Sequence, residues 1–189
     1  MIIVNNKKEL RELIRKRIEE HGPNCDLNDI DVSKVTDMSY LFFESQFNGD
    51  ISKWNVSNVT NMSWMFANSL FNGDISQWDV SRVENMWCMF QDSIFNGNLS
   101  KWNVSNVKEM YGMFYNSLFN GNISKWNVGN VTSMGRMFVW SQFSRDISTW
   151  NVSNVKDMCD MFVASPLEGK EPTWYKVNIK CNSYDNSKQ

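Results

Sequence analysis

Apolar and polar residues follow one 24-residue period through most of this chain. Tryptophan returns at that interval without an insertion, at Trp54, Trp78, Trp102, Trp126 and Trp150. Methionine and phenylalanine do the same, at Met38, Met62, Met86, Met110, Met134 and Met158 and at Phe42, Phe66, Phe90, Phe114, Phe138 and Phe162. Six units therefore follow one another, over residues 26–49, 50–73, 74–97, 98–121, 122–145 and 146–169.

Within one unit, the apolar residues are separated mostly by two or three positions, which matches neither a long strand nor a continuous helix. The pattern of residues 50–73 predicts a short parallel strand at 51–56, about one helical turn at 63–68 and a sharp turn at Asn72-Gly73. Such a coil cannot bury its apolar side chains alone, but stacked copies can. The sequence therefore predicts a repeat solenoid of six coils.

Equal coil lengths place equivalent residues above one another. Two polar columns are expected to satisfy backbone groups left over at the turns. One contains Asn55, Asp79, Asn103, Asn127 and Asn151; the other contains Asn58, Asn106, Asn130 and Asn154, with Arg82 in place of one amide.

A stack of coils exposes its core at both ends and needs caps. Residues 6–20 carry an apolar stripe of helical spacing, formed by Leu10, Leu13, Ile14 and Ile18. Lysine and arginine mixed with glutamate on the opposite face favour a capping helix over membrane contact. Near the other end, Tyr175, Val177, Ile179 and Cys181 alternate with polar residues, which predicts a capping strand. One folded domain results: an N-terminal cap (1–25), the solenoid (26–169), and a C-terminal cap strand and tail (170–189).

Composition narrows the possible functions. The 189 residues include 19 basic and 21 acidic side chains, a net charge of −2 that disfavours a nucleic-acid partner. A single histidine, His21, leaves little material for catalytic triads or histidine metal sites. No apolar run is long enough for membrane insertion, and no signal peptide is recognised. The cysteines Cys25, Cys88, Cys159 and Cys181 lack metal-type spacing, so reduced thiols and a cytoplasmic location are expected.

The repeat resembles the bacterial surface protein A-type (BspA-like) leucine-rich repeat family. Residues 54–66 read W-N-V-S-N-V-T-N-M-S-W-M-F and are similar to that family's W-N-V-S-N-V-T-x-M-x-x-M-F variant. The resemblance covers residues 7–169. It implies a leucine-rich-repeat-like solenoid, a cell-surface or secreted interaction protein, and no catalytic residues.

Binding residues are expected where the repeats differ from one another. The two positions between the paired methionines vary most, and large aromatic residues occur there and nearby. These form the predicted interface: Tyr40, Trp64, Trp87, Tyr111, Tyr115 and Trp140. Exposed tyrosine and tryptophan often anchor interfaces, although these rings can instead lie flat over the turns and thicken the core.

A second candidate face is a column of three lysines, Lys53, Lys101 and Lys125. It would attract an acidic partner, or it would simply be solvated and prevent sideways association.

The function predicted from these features is that of a non-catalytic binding module for another protein, adhesin-like or an intracellular scaffold, without cofactor or metal. The alternative is a small-molecule or glycan binder whose ligand stacks on the aromatic rings. An enzyme would need a carboxylate pair such as Asp157 and Asp160 in one cleft.

Overall fold

The computed structural model of this chain describes residues 1–175. The strand β1 (Ile2–Ile3) is followed by the helix α1 (Lys7–His21) and the strand β2 (Ile30–Asp31), and β1 pairs with β2 in parallel. The side chain of Asn6 caps α1 by accepting from the backbone N–H of Glu9, as an N-cap asparagine does. Turns and short connections make up most of the remaining described chain.

Successive repeat units lie directly over one another. Isolated parallel bridges join Asp37 to Asn61, Asn61 to Asn85, and so on at the same interval to Asp157. Beside each bridge, alternate N–H groups donate to carbonyls of the next coil, as Phe66 does to Met89 at 2.9 Å. We call this segment the hydrogen-bonded row. It comprises residues 38–44 in the first coil and 62–68, 86–92, 110–116, 134–140 and 158–164 in the others.

The row consists of linked turns, so the prediction of a helical turn at 63–68 is wrong. The N–H groups that do not reach the next coil bond back within their own coil, from Met65 to Met62 and from Ala67 to Trp64. Trp64 and Asn68 have positive φ angles of 59° and 53°. A left-handed residue at the third position of a turn reverses the chain, which a right-handed helical turn cannot do.

The strand predicted at 51–56 is also misplaced, because the parallel bridges in that coil lie at Asp50 and Asn61. At 51–56 the chain turns, and the N–H of Trp54 donates to the carbonyl of Ile51. The turn points the indole inward, and its Nε1 donates to the carbonyl of Leu27 in the preceding coil at 2.9 Å. Apolar spacings of two and three residues therefore reflect turns here rather than pleated strand.

Aromatic columns fill the centre of the stack. Each tryptophan of the repeat donates its indole N–H to the preceding coil, and Trp174 continues this ladder to the carbonyl of Ile147 at 3.0 Å. Trp174 lies one full repeat after Trp150, within the segment predicted as the C-terminal cap. Beside the ladder, the Phe42 and Phe66 rings stack at 5.5 Å, and buried phenylalanines continue that column to Phe162. Each inner coil therefore packs its buried rings against the equivalent rings of the coils before and after it.

Side-chain amides satisfy backbone groups at the turns, which confirms that prediction. Asn58 Nδ2 donates to the carbonyl of Ser33 in the preceding coil at 2.8 Å, whereas Asn55 Oδ1 accepts from the N–H of Ser57 in its own coil. Arg82 interrupts the Asn58 column and donates to Asn58 Oδ1 instead. A further column was not predicted: Oδ1 of Asn48, Asn72, Asn96 and Asn120 each accepts an N–H from the following coil.

Both ends of the stack are covered. The α1 side chains Leu10 and Ile14 are buried against the first coil. At the far end, Trp174 and Tyr175 pack against Phe162, with ring centroids 6.2 and 5.0 Å away. The strand predicted beyond Tyr175 lies outside the described residues.

The cysteines differ in oxidation state. Cys25 and Cys88 are free thiols, but Cys159 is disulfide-bonded. The prediction that the cysteines are all reduced is therefore wrong for Cys159, and the argument for a cytoplasmic location that rested on unpaired cysteines falls with it.

Candidate functional site

The predicted aromatic residues lie on the outward side of the hydrogen-bonded row. Each coil contributes four positions to that side, which in the second coil are Ser63, Trp64, Ala67 and Asn68. Of these, Ser63 and Ala67 are buried, Trp64 is half-buried and Asn68 is exposed. The apolar residues between them, Met65 and Phe66, point into the core and are fully buried. We call the outward positions of the six coils the variable face.

Left-handed backbone shapes this face in every coil. Its second and fourth positions all have positive φ, from Tyr40 (58°) in the first coil to Ala164 (53°) in the last. Only one of these twelve residues, Gly112, is a glycine. Left-handed geometry costs an ordinary residue about 1–2 kcal/mol, so the inter-coil hydrogen bonds hold the chain in this conformation against its local preference.

The aromatic ring of a coil changes place between the first two positions of the face. In the first two coils the first position is serine and the second is aromatic (Tyr40 and Trp64). In the third and fourth coils the first position is aromatic (Trp87 and Tyr111) and the second is small (Cys88 and Gly112). A large ring beside a small neighbour keeps the volume of each coil similar, since stacking admits little variation in size.

Three aromatic clusters result. The first is the Tyr40 cluster, in which the rings of Tyr40 and Trp64 stack in parallel at 5.8 Å. Phe43 meets both edge-on, at 5.6 and 5.9 Å. Tyr40 is 44% exposed and Phe43 is 36% exposed. This cluster therefore offers aromatic surface to solvent at the N-terminal end of the variable face.

The second cluster is more embedded. Trp87 and Tyr111 meet edge-on at 5.6 Å, and both are half-buried. A Cβ atom on Gly135 would lie 3.0 Å from the Tyr111 ring, so glycine at that position makes room for the ring. The alternative interpretation, in which rings lie over the turns and thicken the core, describes Tyr111 well.

The third cluster is Tyr115 with Trp140, whose rings meet edge-on at 5.5 Å. Trp140 is 55% exposed. The structure thus brings the six predicted aromatic residues together as three pairs, with exposed rings in the first and last.

Burial raises the pKa of Tyr40, Tyr111 and Tyr115 above the ordinary value of a phenol. A phenol is protonated at neutral pH even without such a shift, so all three side chains carry a hydroxyl that can donate a hydrogen bond.

The second candidate face lies elsewhere on the coil. Lys53, Lys101 and Lys125 are exposed and precede the buried tryptophans of their coils, away from the hydrogen-bonded row. Gln77 separates the first two lysines in the column. The structure records no ion pair for these lysines with any residue in 1–175.

The suggested carboxylate pair has other roles. Asp157 is buried, and its Oδ1 accepts from the N–H of Cys159 at 3.0 Å. Asp160 is exposed and pairs with Arg136 at 3.5 Å. Within residues 1–175, no group of three or more histidine, cysteine, aspartate or glutamate side chains is arranged to hold a metal ion. In the same range, no helix is long and apolar enough to span a membrane.

Sequence reasoning missed an aliphatic column next to the variable face. Leu70, Ile94 and Leu118 occupy one repeat position in three successive coils, and all three are exposed. The signal was present in the repeat alignment, because Gln46 and Gln142 occupy the same position in other coils.

Comparison with known proteins gives one match. Residues 9–118 and 93–184 match the family described as "Mycoplasma protein of unknown function, DUF285". The two matches together span most of the chain, which belongs to this family. No curated protein and no solved structure matches it.

Proposed function

We propose that this member of the DUF285 family is a non-catalytic binding module, which binds another protein through the variable face of a leucine-rich-repeat-like solenoid. The core positions repeat from coil to coil, whereas the outward positions of the hydrogen-bonded row differ in size, charge and polarity. A repeat protein with a constant interior and a varied surface presents a broad binding surface on a rigid support.

The observation that carries the proposal is the exposure of the Tyr40 cluster. Tyrosine and tryptophan contribute much of the binding energy in protein interfaces, because they bury a large area with little loss of side-chain freedom. Here the rings already support one another through stacking, so binding would order them little further. Trp140, at the other end of the face, adds a second exposed ring.

The resemblance to BspA-like proteins, whose members are mostly surface-exposed or secreted, supports an extracellular partner and an adhesin-like role. The disulfide at Cys159 agrees with that location, because such bonds persist mainly in oxidising compartments.

The test is capture of partners by the immobilised full chain, from the cells that make it and from the material around them. The variant combines Tyr40→Ser, Phe43→Ser and Trp64→Ser, and a matched control replaces the aliphatic column at Leu70 and Leu118 with serine. We expect a partner that the native chain and the control retain and that the aromatic variant loses. Equal capture by all three chains would contradict the proposal, provided their unfolding midpoints agree.

A glycan or another small molecule is the second candidate, since exposed rings such as Tyr40 and Trp140 can stack on a sugar face. A ligand panel measured by thermal shift separates the two candidates, because a true ligand raises the melting temperature to an extent set by its concentration and affinity.

A further inference from the structure

The hydrogen bonds of the row all point the same way. In every inner coil, N–H groups at alternate positions donate toward the C-terminal end, and the carbonyls between them accept from the N-terminal side. The carbonyl of Met65, for example, accepts from Phe42, while the N–H of Phe66 donates to Met89. The row therefore has one edge of acceptors and one edge of donors.

The acceptor edge belongs to the first coil. No preceding coil supplies donors for the carbonyls of Ser39, Leu41 and Phe43, and no residue within 1–175 donates to them. Their counterparts in the second coil accept from Tyr40, Phe42 and Glu44 at 2.9–3.0 Å. Backbone carbonyls without a protein partner readily accept from water or a ligand, and these three belong to the same edge of the row. Phe43 is 36% exposed, whereas Ser39 and Leu41 are 6% exposed, so the edge opens to solvent mainly at Phe43.

An edge made only of acceptors restricts its partner. An ordinary β-strand presents alternating N–H and C=O groups, so its own carbonyls would face those of the first coil. A group with several donors and no acceptor fits better, and arginine has five N–H donors in a planar fork.

The surrounding side chains favour the same chemistry. Tyr40 and Phe43, the exposed rings of the Tyr40 cluster, flank the edge and can take a cation against their faces. Glu44 adds an exposed carboxylate at the end of the edge. At its beginning, side chains next to the edge already hold a cation of the chain itself: Lys7 Nζ lies 2.6 Å from Ser39 Oγ and 3.3 Å from Asp37 Oδ2.

We infer that the first-coil edge is the arginine-binding end of the variable face. A guanidinium from a protein partner donates to the carbonyls of Leu41 and Phe43, stacks on Tyr40 and pairs with Glu44. This inference rests on the proposed function and names the chemistry of the partner. A second copy of the chain fits less well, because one of the complementary donors at the other end of the row, the N–H of Ala164, already donates to Glu168 Oε2 at 2.9 Å.

The test uses the full chain labelled with ¹³C and ¹⁵N and titrated with acetyl-Gly-Arg-Gly-Arg-Gly-amide. The control peptide carries citrulline, which keeps the shape but loses the charge and replaces one NH2 group, two of the five N–H donors, by a carbonyl acceptor. We expect saturable shifts of the Leu41 and Phe43 carbonyl carbons with the arginine peptide and much smaller shifts with citrulline. Tyr40→Ser should weaken the binding about three- to tenfold, whereas Leu118→Ser, in the aliphatic column away from this edge, should leave it unchanged.

Three results would overturn the inference. One is equal binding of both peptides, and another is shifts confined to scattered acidic residues. The third is movement of the two carbonyl signals with protein concentration alone, which would identify a second copy as the occupant. Loss of partner capture in the aromatic variant, together with failure of the arginine peptide, would refute the arginine site and leave the proposed function standing.

Discussion

Trp102→Phe tests whether the indole ladder stabilises the stack. Trp102 is 4% exposed, and its Nε1 donates to the carbonyl of Ile75 at 3.1 Å. That carbonyl also accepts the backbone N–H of Trp78, so the substitution removes one of its two hydrogen bonds and does not leave it without a partner.

The expected loss has two parts. An internal hydrogen bond contributes about 0.5–1.5 kcal/mol net, and the space left by the smaller ring costs about 1–2 kcal/mol. Urea unfolding followed by circular dichroism should therefore show a free energy of unfolding lower by roughly 2–3 kcal/mol, with an unchanged denaturant slope.

Replacing Trp102 with 3-benzothienylalanine provides the matched control, because it keeps the bicyclic shape and removes only the donor. It should cost about 1 kcal/mol. Trp174→Phe, at the half-buried last rung, should cost less than Trp102→Phe. The opposite result is a loss of unfolding free energy below about 0.5 kcal/mol for both Trp102→Phe and Trp174→Phe, which is less than one hydrogen bond contributes. The ladder would then not hold the coils together.

Three further substitutions follow from the same contacts. Hydrogen bonds from the Ser81 hydroxyl and N–H lower the pKa of Asp79. The ionised carboxylate therefore stabilises the fold above the unfolded pKa, and this stabilisation is lost as the pH falls through the folded pKa. Asp79→Asn introduces the residue found in four other coils, and it should reduce the drop in melting temperature that acid causes. Arg82→Asn should restore the amide column by donating to the carbonyl of Ser57, and chemical unfolding should show a gain of about 0.5–1 kcal/mol; no gain would mean that water serves this carbonyl equally well. Gly112→Ala should destabilise the chain by at least about 1 kcal/mol in the same assay, because φ is +60° and the new Cβ would meet Cys88 Sγ at 2.9 Å; a neutral result would show that the row can relax.

The period in the sequence was enough to predict which residues share a column, because equal coil lengths leave no other register. The Phe42 column and the Asn58 bond to the preceding coil follow directly from it. Trp174 shows the limit of the approach: its neighbours no longer match the repeat, so the ladder position was overlooked although the repeat interval from Trp150 was intact.

The local conformation was harder to predict. Tyr40 and Trp64 occupy left-handed positions that their side chains disfavour, so propensity pointed to a helical turn where inter-coil hydrogen bonds impose linked turns. The aromatic residues of the candidate site were recognised by their variability. The embedding of Tyr111 depends in part on the room that Gly135 leaves beside its ring, and the repeat pattern does not reveal that contact.

Hydrogen-bond scalar couplings across the row test the central claim most directly, because they report which N–H meets which carbonyl. The account predicts measurable couplings from the nitrogens of Met62, Trp64 and Phe66 to the carbonyl carbons of Asn85, Trp87 and Met89. Couplings from these nitrogens to carbonyls one helical turn earlier would show a helix instead, and would contradict the stacking of coils on which the variable face depends.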